Sequence, residues 1–341
     1  MDALIERLLS AVKLGTPERR GSITLLPILG ELPAGPEYLT LVQAIADNAL
    51  KVEEVDEGGS VPNLIAKNVG QVSVLILDGE ELMGAKQNRV LNTTVLIAPG
   101  TEILIPVSCV EQGRWHYTSR QFRDSGHHSP HHVRAETQRG VTVNAMGSRR
   151  LVANQSEVWD AVAFLSAREA VSSPTGAMWD VYEDRGEDVA AFVSALEAAE
   201  GQTGVVAARD GKVIGFDIVS RPKAYALLHD KLVSSYVFDA RGESSSSIEA
   251  DERAAKDFLV GLGDVTATML ESPGVGTAYR YSARDIVGSA LVVDGDIVHA
   301  AFFGVDEEPG AGSGDVAHAS RMTGSGSRAE YRREGDGEGR E

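Results

Sequence analysis

The sequence predicts an α+β protein with a β-rich, antiparallel, sandwich-like N-terminal half, C-terminal helices packed with β-hairpins, and a disordered C-terminal tail. Three observations predict it. Before residue 120, short runs rich in Val, Ile, Leu and Thr are separated by Asn-Val-Gly, Asp-Gly and Pro-Gly, the punctuation of an antiparallel sheet. After residue 150, apolar residues recur at helical spacing. Two strand–Asp-Gly–strand units, turning at Asp210-Gly211 and Asp294-Gly295, flank a helical pair and could share one sheet with the helices against a face. The organisation expected is a helix over 1–20, a β-rich region with a basic His/Arg loop over 21–150, an α+β region over 151–304 and a disordered tail over 305–341.

In order along the chain, Leu4, Ile5, Leu8, Leu9 and Val12 share one side of a 3.6-residue period, a short helix ending near Gly15. "SITLLPILG" is a strand. "YLTLVQAIADNALKVEEV" gives a helix from Thr40 to Leu50 and then a strand. "VPNLIAKN", "VSVLILDGE", "RVLNTTVLIA" and "TEILIPVSCVE" follow as strands. Residues 118–150, poor in large apolar side chains and rich in Arg and His, form a break. Asn154 or Ser156 caps a helix carrying Val158, Val162, Phe164 and Leu165. A second helix places Val189, Phe192, Val193 and Leu196 on one stripe and stops at Gly201. Helices "KAYALLHDKLVSSYVFDA" and "ERAAKDFLVGLGDVTATML" lie between the hairpins. Beyond Val305 the chain is rich in Gly, Ser, Glu and Arg without apolar periodicity.

At 341 residues, 43% hydrophobic and 24% charged, the chain is of ordinary globular composition and long enough for about two domains. A formal charge of −18 argues against non-specific binding to nucleic acid and against docking on anionic lipid. The N-terminal segment intersperses charges with apolar residues, unlike a signal peptide, and no run approaches the ~20 apolar residues of a membrane helix. One cysteine forms no internal disulfide. A cytoplasmic protein is expected. No nucleotide-binding glycine motif, P-loop or nucleophile elbow is present, and no cofactor is named by the sequence.

In "GEELMGAKQNRVLNTTVLIAPGTEILIPVSCVEQGRW", Lys86, Gln87, Asn88 and Arg89 are consecutive, and Asn92 follows. Amides and a guanidinium offer several donors at once to a planar or anionic group; the plain alternative is that they satisfy turn and edge backbone groups while Arg89 pairs with a carboxylate. "VPNLIAKN", "LDGEELMGAKQNRVLNTTVLI", "IPVSCVEQGRW" and "NQSEVW" together resemble the ARG and Rhodanese-Phosphatase-superfamily-associated protein domain, over about Gly21 to Gly304. That family's name records association with ADP-ribosylglycohydrolases and phosphatase-like proteins. The resemblance therefore implies a role around NAD-derived or ADP-ribosylated metabolites, and it brings no catalytic residues.

Cys109 and Glu111 project to one face of an extended strand, with Arg114 and His116 close by. A nucleophilic thiol, a ligand-lining thiol and an inert buried one all remain open. Between Arg114 and Arg150 lie seven Arg, including Arg120, Arg123 and Arg134, against Asp124 and Glu136, a local formal charge of +5. Such an island suits a small anion, or else an exposed loop paired with acidic surface. His127, His128, His131 and His132 could bind a metal, but Pro130 interrupts the run and no zinc spacing accompanies them, so no metal site is expected. Glu80 and Glu81 could form an acid pair or a solvated turn.

Three readings follow. The first is a ligand-binding or accessory protein that presents Lys86, Gln87, Asn88, Arg89, Asn92, Arg114, His116, Arg120 and Arg123 to a small, phosphate-bearing anion. The second is a hydrolase or transferase using Glu111 or Glu81 as acid/base, with Arg charge stabilisation. The third is a scaffold whose acidic surface recruits a basic protein partner.

Overall fold

The computed structural model describes residues 2–305 apart from 31, 57, 60, 61 and 241. The tail expected beyond 305 lies outside the described residues. The fold is α+β, with antiparallel sheets save for one parallel strand pair. Among the described residues no helix is long and apolar enough to cross a membrane.

The largest sheet runs in the order β1 (Glu18–Arg20), β2 (Ile23–Ile28), β12 (Gly204–Arg209), β13 (Lys212–Val219), β17 (Asp296–Gly304), β16 (Ile286–Val293), β15 (Thr277–Ser282) and β14 (Thr266–Glu271). Both Asp-Gly hairpins thus lie in one sheet, joined through β13 and β17. Asp210, Gly211, Asp294 and Gly295 all have positive φ, which a two-residue hairpin turn of the primed kind demands. Side chains alternate faces along each strand. Leu26, Ile28, Val206, Phe216 and Phe302 pack on Leu4, Ile5 and Leu8 of α1 (Ala3–Ala11) and on Ala255 of α8 (Ile248–Gly261). From the opposite face, Leu25, Val205 and Ala207 meet Tyr225, Leu228 and Leu232 of α7 (Pro222–Ser234).

A second sheet has the order β11 (Phe122–His128), β7 (Glu80–Gly84), β8 (Arg89–Leu91), β10 (Glu102–Cys109), β5 (Asn63–Asn68) and β4 (Leu50–Glu54). Beside it, β6 (Ser73–Ile76) pairs parallel with β3 (Tyr38–Thr40) and antiparallel with β9 (Val95–Ile97). Leu64, Ala66, Val74, Ile76, Leu82, Leu91, Val107 and Phe122 form their common core, closed by Leu41 and Ala44 of α2 (Leu41–Ala46). This helix stops earlier than its periodicity suggests. Asn48 turns into the left-handed region, and Leu50 already begins β4.

The break expected over 118–150 is overturned. Phe122–His128 pairs with β7, and His131–Ser148 forms the 18-residue helix α3, whose N-cap is Pro130. A proline at that boundary loses no helical hydrogen bond, so it starts the helix rather than breaking it. The inward face of α3 carries Arg134, Thr137, Gln138 and Thr142 besides Val133, Val141 and Ala145. α4 (Gln155–Glu169) opens on the expected Asn154 cap, whose side chain accepts from the Ser156 amide at 3.2 Å. Val158, Val162 and Leu165 are buried as expected, whereas Phe164 faces out. α5 (Met178–Asp184) and α6 (Gly186–Ser194) follow, with Met178, Val181, Tyr182 and Val189 in the core beneath α3 and α4.

A buried charge network ties these layers together. Arg134 Nε donates to Asp78 Oδ1 at 2.7 Å, and its two terminal nitrogens donate to Asp217 at 2.8 and 2.6 Å. Ser289 donates to Asp78 Oδ2 at 2.9 Å, and His299 Nε2 lies 3.4 Å from Asp217. Arg134, Asp78, Asp217 and His299 are all buried. Burial alone would neutralise these acids, but Arg134 together with His299, and for Asp78 also Arg280 and His128, holds both below the ordinary carboxylate range. Arg134, first read as part of an anion-binding island, is therefore fully engaged by the protein's own acids.

Candidate functional site

The link between β7 and β8, "GAKQN", is held by backbone geometry before any side chain acts. Gly84 has φ +128°, and a Cβ there would lie 2.5 Å from Ser119 Oγ; Ala85 also has positive φ. Register then sets the neighbours. Leu82 pairs with Arg89 across β7–β8, and Arg89 pairs with Cys109 across β8–β10. The chain leaving β10, residues 110–115, consequently folds back over the link, with the Val110 amide donating to Asn88 O at 3.1 Å.

Gln87, Asn88, Arg89, Glu111 and Arg114 come together there. Glu111 Oε1 accepts from Arg114 Nε at 2.8 Å and from Thr175 at 2.9 Å. Its Oε2 accepts from Arg114 Nη2 at 2.6 Å and from the Asn88 amide at 3.1 Å. Arg114 also donates to Ala85 O at 2.7 Å and Asn88 Oδ1 at 3.0 Å. This arginine is saturated by protein acceptors and acts as a clamp on the turn.

Arg89 differs. It is wholly buried, and Nη1 donates to Gln87 Oε1 at 2.7 Å, but among the described residues Nε and Nη2 have no acceptor. The nearest carboxylate, Glu54, stands 4.0 Å from Nη2, and its own Oε2 has no donor among them either. Over Arg89 lies the ring of Trp115, 5.7 Å from the guanidinium carbon. Lys86 Nζ sits 5.2 Å from that ring's centre and 5.1 Å from the ring of Tyr117. Trp115 and Tyr117 are 47% and 46% exposed, so an aromatic lid on the surface covers a cationic floor.

In β7, just before this link, Glu81 is wholly buried, and among the described residues neither carboxylate oxygen has a donor within hydrogen-bond distance. Burial pushes its pKa up to about 8; the nearby Ser125 and Asn88 side chains, beyond hydrogen-bond distance, oppose this only in part, and the negative charges of Glu111 and Asp124 add to the shift. Its neighbour Glu80 points away to Lys231 at 2.8 Å, which also holds Asp124 at 2.6 Å. The solvated-turn reading of Glu80 and Glu81 is thus excluded by their burial.

The other candidates disperse. Asn92 lies in the core, accepting from Ser108 at 2.7 Å. His116, Arg120 and Arg123 are exposed, and Arg123 rests on Met83 Sδ at 2.8 Å. Cys109 is buried, contacting the backbone of Glu111 at 3.3 and 3.4 Å, and burial pushes its thiol pKa up. Burial and a raised pKa predict slow thiol chemistry: a thiol reagent should modify Cys109 only on the timescale of unfolding. Fast modification of the native chain would overturn that prediction.

The four histidines take separate partners. His127 stacks on Tyr182 at 4.2 Å, and burial pushes its pKa down to about 4. His128 is buried beside Arg134, and both effects hold it well below the usual imidazole range. His131 contacts Asp239 at 2.5 Å, and His132 Nε2 meets Ala161 O at 3.3 Å. Among the described residues no three of His, Cys, Asp and Glu come together as a metal-holding group. Sequence reasoning missed Glu54 and the lid role of Trp115 and Tyr117. The only available signal was the aromatic spacing in "GRWHY".

The fold and this corner define an α+β domain built around buried, sequence-remote polar contacts. The chain belongs to the ARG and Rhodanese-Phosphatase-superfamily-associated Protein domain family, whose model matches residues 11–303. No curated protein and no solved structure matches it.

Proposed function

We propose that the Arg89 corner binds a small phosphate-bearing anion and that the protein serves as a ligand-binding or accessory protein in ADP-ribose or NAD-derived metabolism. The observation that carries the reading is Arg89 itself, buried with two donor nitrogens, Nε and Nη2, unanswered among the described residues. A buried guanidinium donor without an acceptor costs on the order of 1–3 kcal/mol, which an anionic oxygen would recover through a charge-assisted bond. Lys86 adds positive charge, the rings of Trp115 and Tyr117 suit a planar group, and the unpartnered Glu54 oxygen suits a ligand hydroxyl. A phosphate attached to a hydroxyl-bearing sugar and a flat base has all three features. The family's description points the same way.

Calorimetry of the whole chain at low salt against ADP-ribose, NAD and inorganic phosphate tests this. At least one should bind, and Arg89→Met should weaken it tenfold or more, about 1.4 kcal/mol, with Trp115 fluorescence changing on binding in the wild type. No heat from any of the three rejects the reading.

One observation favours a second reading, a hydrolase or transferase acting on an ADP-ribosylated substrate. Of the two carboxyl candidates, Glu111 is occupied by donors, whereas Glu81 carries a proton near neutral pH and so has what a general acid requires. Turnover that survives Glu81→Gln removes it.

A further inference from the structure

Away from that corner, one buried cation lacks an acidic partner. Arg134 holds two aspartates, Lys231 holds Glu80 and Asp124, and Arg19 holds Asp251. Arg280 of β15 is 1% exposed, yet among the described residues no carboxylate forms an ion pair with it. Its Nη1 donates to Gln138 Oε1 and its Nη2 to Asn92 O at 3.1 Å, while Nε has no acceptor among those residues. The amide nitrogens of Gln138 and Asn92 are equally unanswered, and so is the hydroxyl of Thr142, one turn along α3 from Gln138. Gln138 and Asn92 are fully buried. Arg280, which can only donate, fixes the orientation of the Gln138 amide, and Asn92 Oδ1 accepts from Ser108 at 2.7 Å.

Through its bonds to Gln138 Oε1 and Asn92 O, Arg280 brings a strand, a helix and the segment after β8 together, so the unanswered amide nitrogens of Gln138 and Asn92 belong to residues in direct contact with its guanidinium. We infer that Arg280, Gln138 and Asn92 hold a small monovalent inorganic anion, of chloride's size, in the core between α3 and β15. A neutral acceptor such as water answers the amides but leaves the guanidinium charge without a counter-ion in contact. A divalent anion is disfavoured because Asp78, held by Ser289 opposite Arg280 across β15–β16, would repel it twice as strongly as a monovalent one. This site is separate from the Arg89 corner and does not depend on it.

Crystals of the full chain grown in bromide in place of chloride supply the decisive test. The expected result is an anomalous peak within hydrogen-bond distance of Arg280 Nε and the Gln138 and Asn92 amide nitrogens. Thermal unfolding of the same chain at constant ionic strength, chloride replacing the bulky gluconate, should show Tm rising by about 3 °C per tenfold of chloride above its Kd. Arg280→Met should lose that dependence. A bromide map with only water at this position overturns the site even if Arg280→Met fails to fold, and so does a chloride-dependent Tm whose bromide peak lies elsewhere.

Discussion

Arg134→Met should be severely damaging, lowering stability by about 3–5 kcal/mol. Removing the guanidinium strips Asp78 and Asp217 of the one cation that ion-pairs with both at 2.6 Å, while both stay fully shielded from water. The loss is a large part of the 5–15 kcal/mol that typically separates folded from unfolded chains. It should appear as a fall in Tm on the order of 10 °C. The diagnostic companion is the triple variant Arg134→Met, Asp78→Asn, Asp217→Asn. Neutralising the stranded acids should recover part of the loss, because the cost lies in uncompensated charge and not in the missing contact. A single variant within about 1 kcal/mol of wild type, or a triple variant worse than the single, would mean the network carries little of the fold's stability.

Glu81→Gln should act in the opposite direction. Between the ordinary glutamate value of 4.5 and the folded value of about 8, the native state keeps a proton on Glu81 that the unfolded state has released. The native state then binds more protons, so wild-type stability falls as pH rises through this window, by up to about 1.4 kcal/mol per unit from this one group. The contribution is whole below pH 4.5 and gone above about 8. A glutamine in its place has no proton to lose, so the variant should be a few kcal/mol more stable than wild type at pH 8 and close to it at pH 4.5. Denaturant unfolding at a series of pH values checks this, and parallel wild-type and variant profiles between about pH 5 and 8 would falsify it. The same proton, available near neutral pH, underlies the second functional reading. Stability and activity in Glu81→Gln are therefore worth measuring on the same samples.

The elements legible from sequence were those specified locally. Asp210-Gly211 and Asp294-Gly295 needed only their own backbone preferences, and Asn154 needed only its position before an apolar period. α3 was illegible for a physical reason. Its buried face is carried by Arg134, Thr137, Gln138 and Thr142, which look like surface residues until their partners on distant elements are known. Arg134 reaches Asp78 and Asp217, 56 and 83 positions away, and nothing near Arg134 in the chain announces either contact. The Arg89 corner was half legible. The run Lys86–Arg89 and the pair Glu111, Arg114 stood out by composition, and β8–β10 pairing brings them together. That Arg114 would be saturated, Arg89 left with idle donors, and Asn92 sent to a different cluster depends on side-chain directions that composition does not carry.

The order of strands in the largest sheet also has a bearing on how the protein is made. β2 ends at Ile28, and its partner β12 does not begin until Gly204. At ribosomal rates of about 5–20 residues per second, the nascent chain carries Ile23, Leu25, Leu26 and Ile28 for on the order of ten seconds or more before that partner has been synthesised. During that interval an apolar strand stands with an open edge, the kind of surface on which neighbouring polypeptides aggregate. Holdase chaperones at the exit tunnel, or slowed production at low temperature, therefore bear directly on how much folded protein a cell yields.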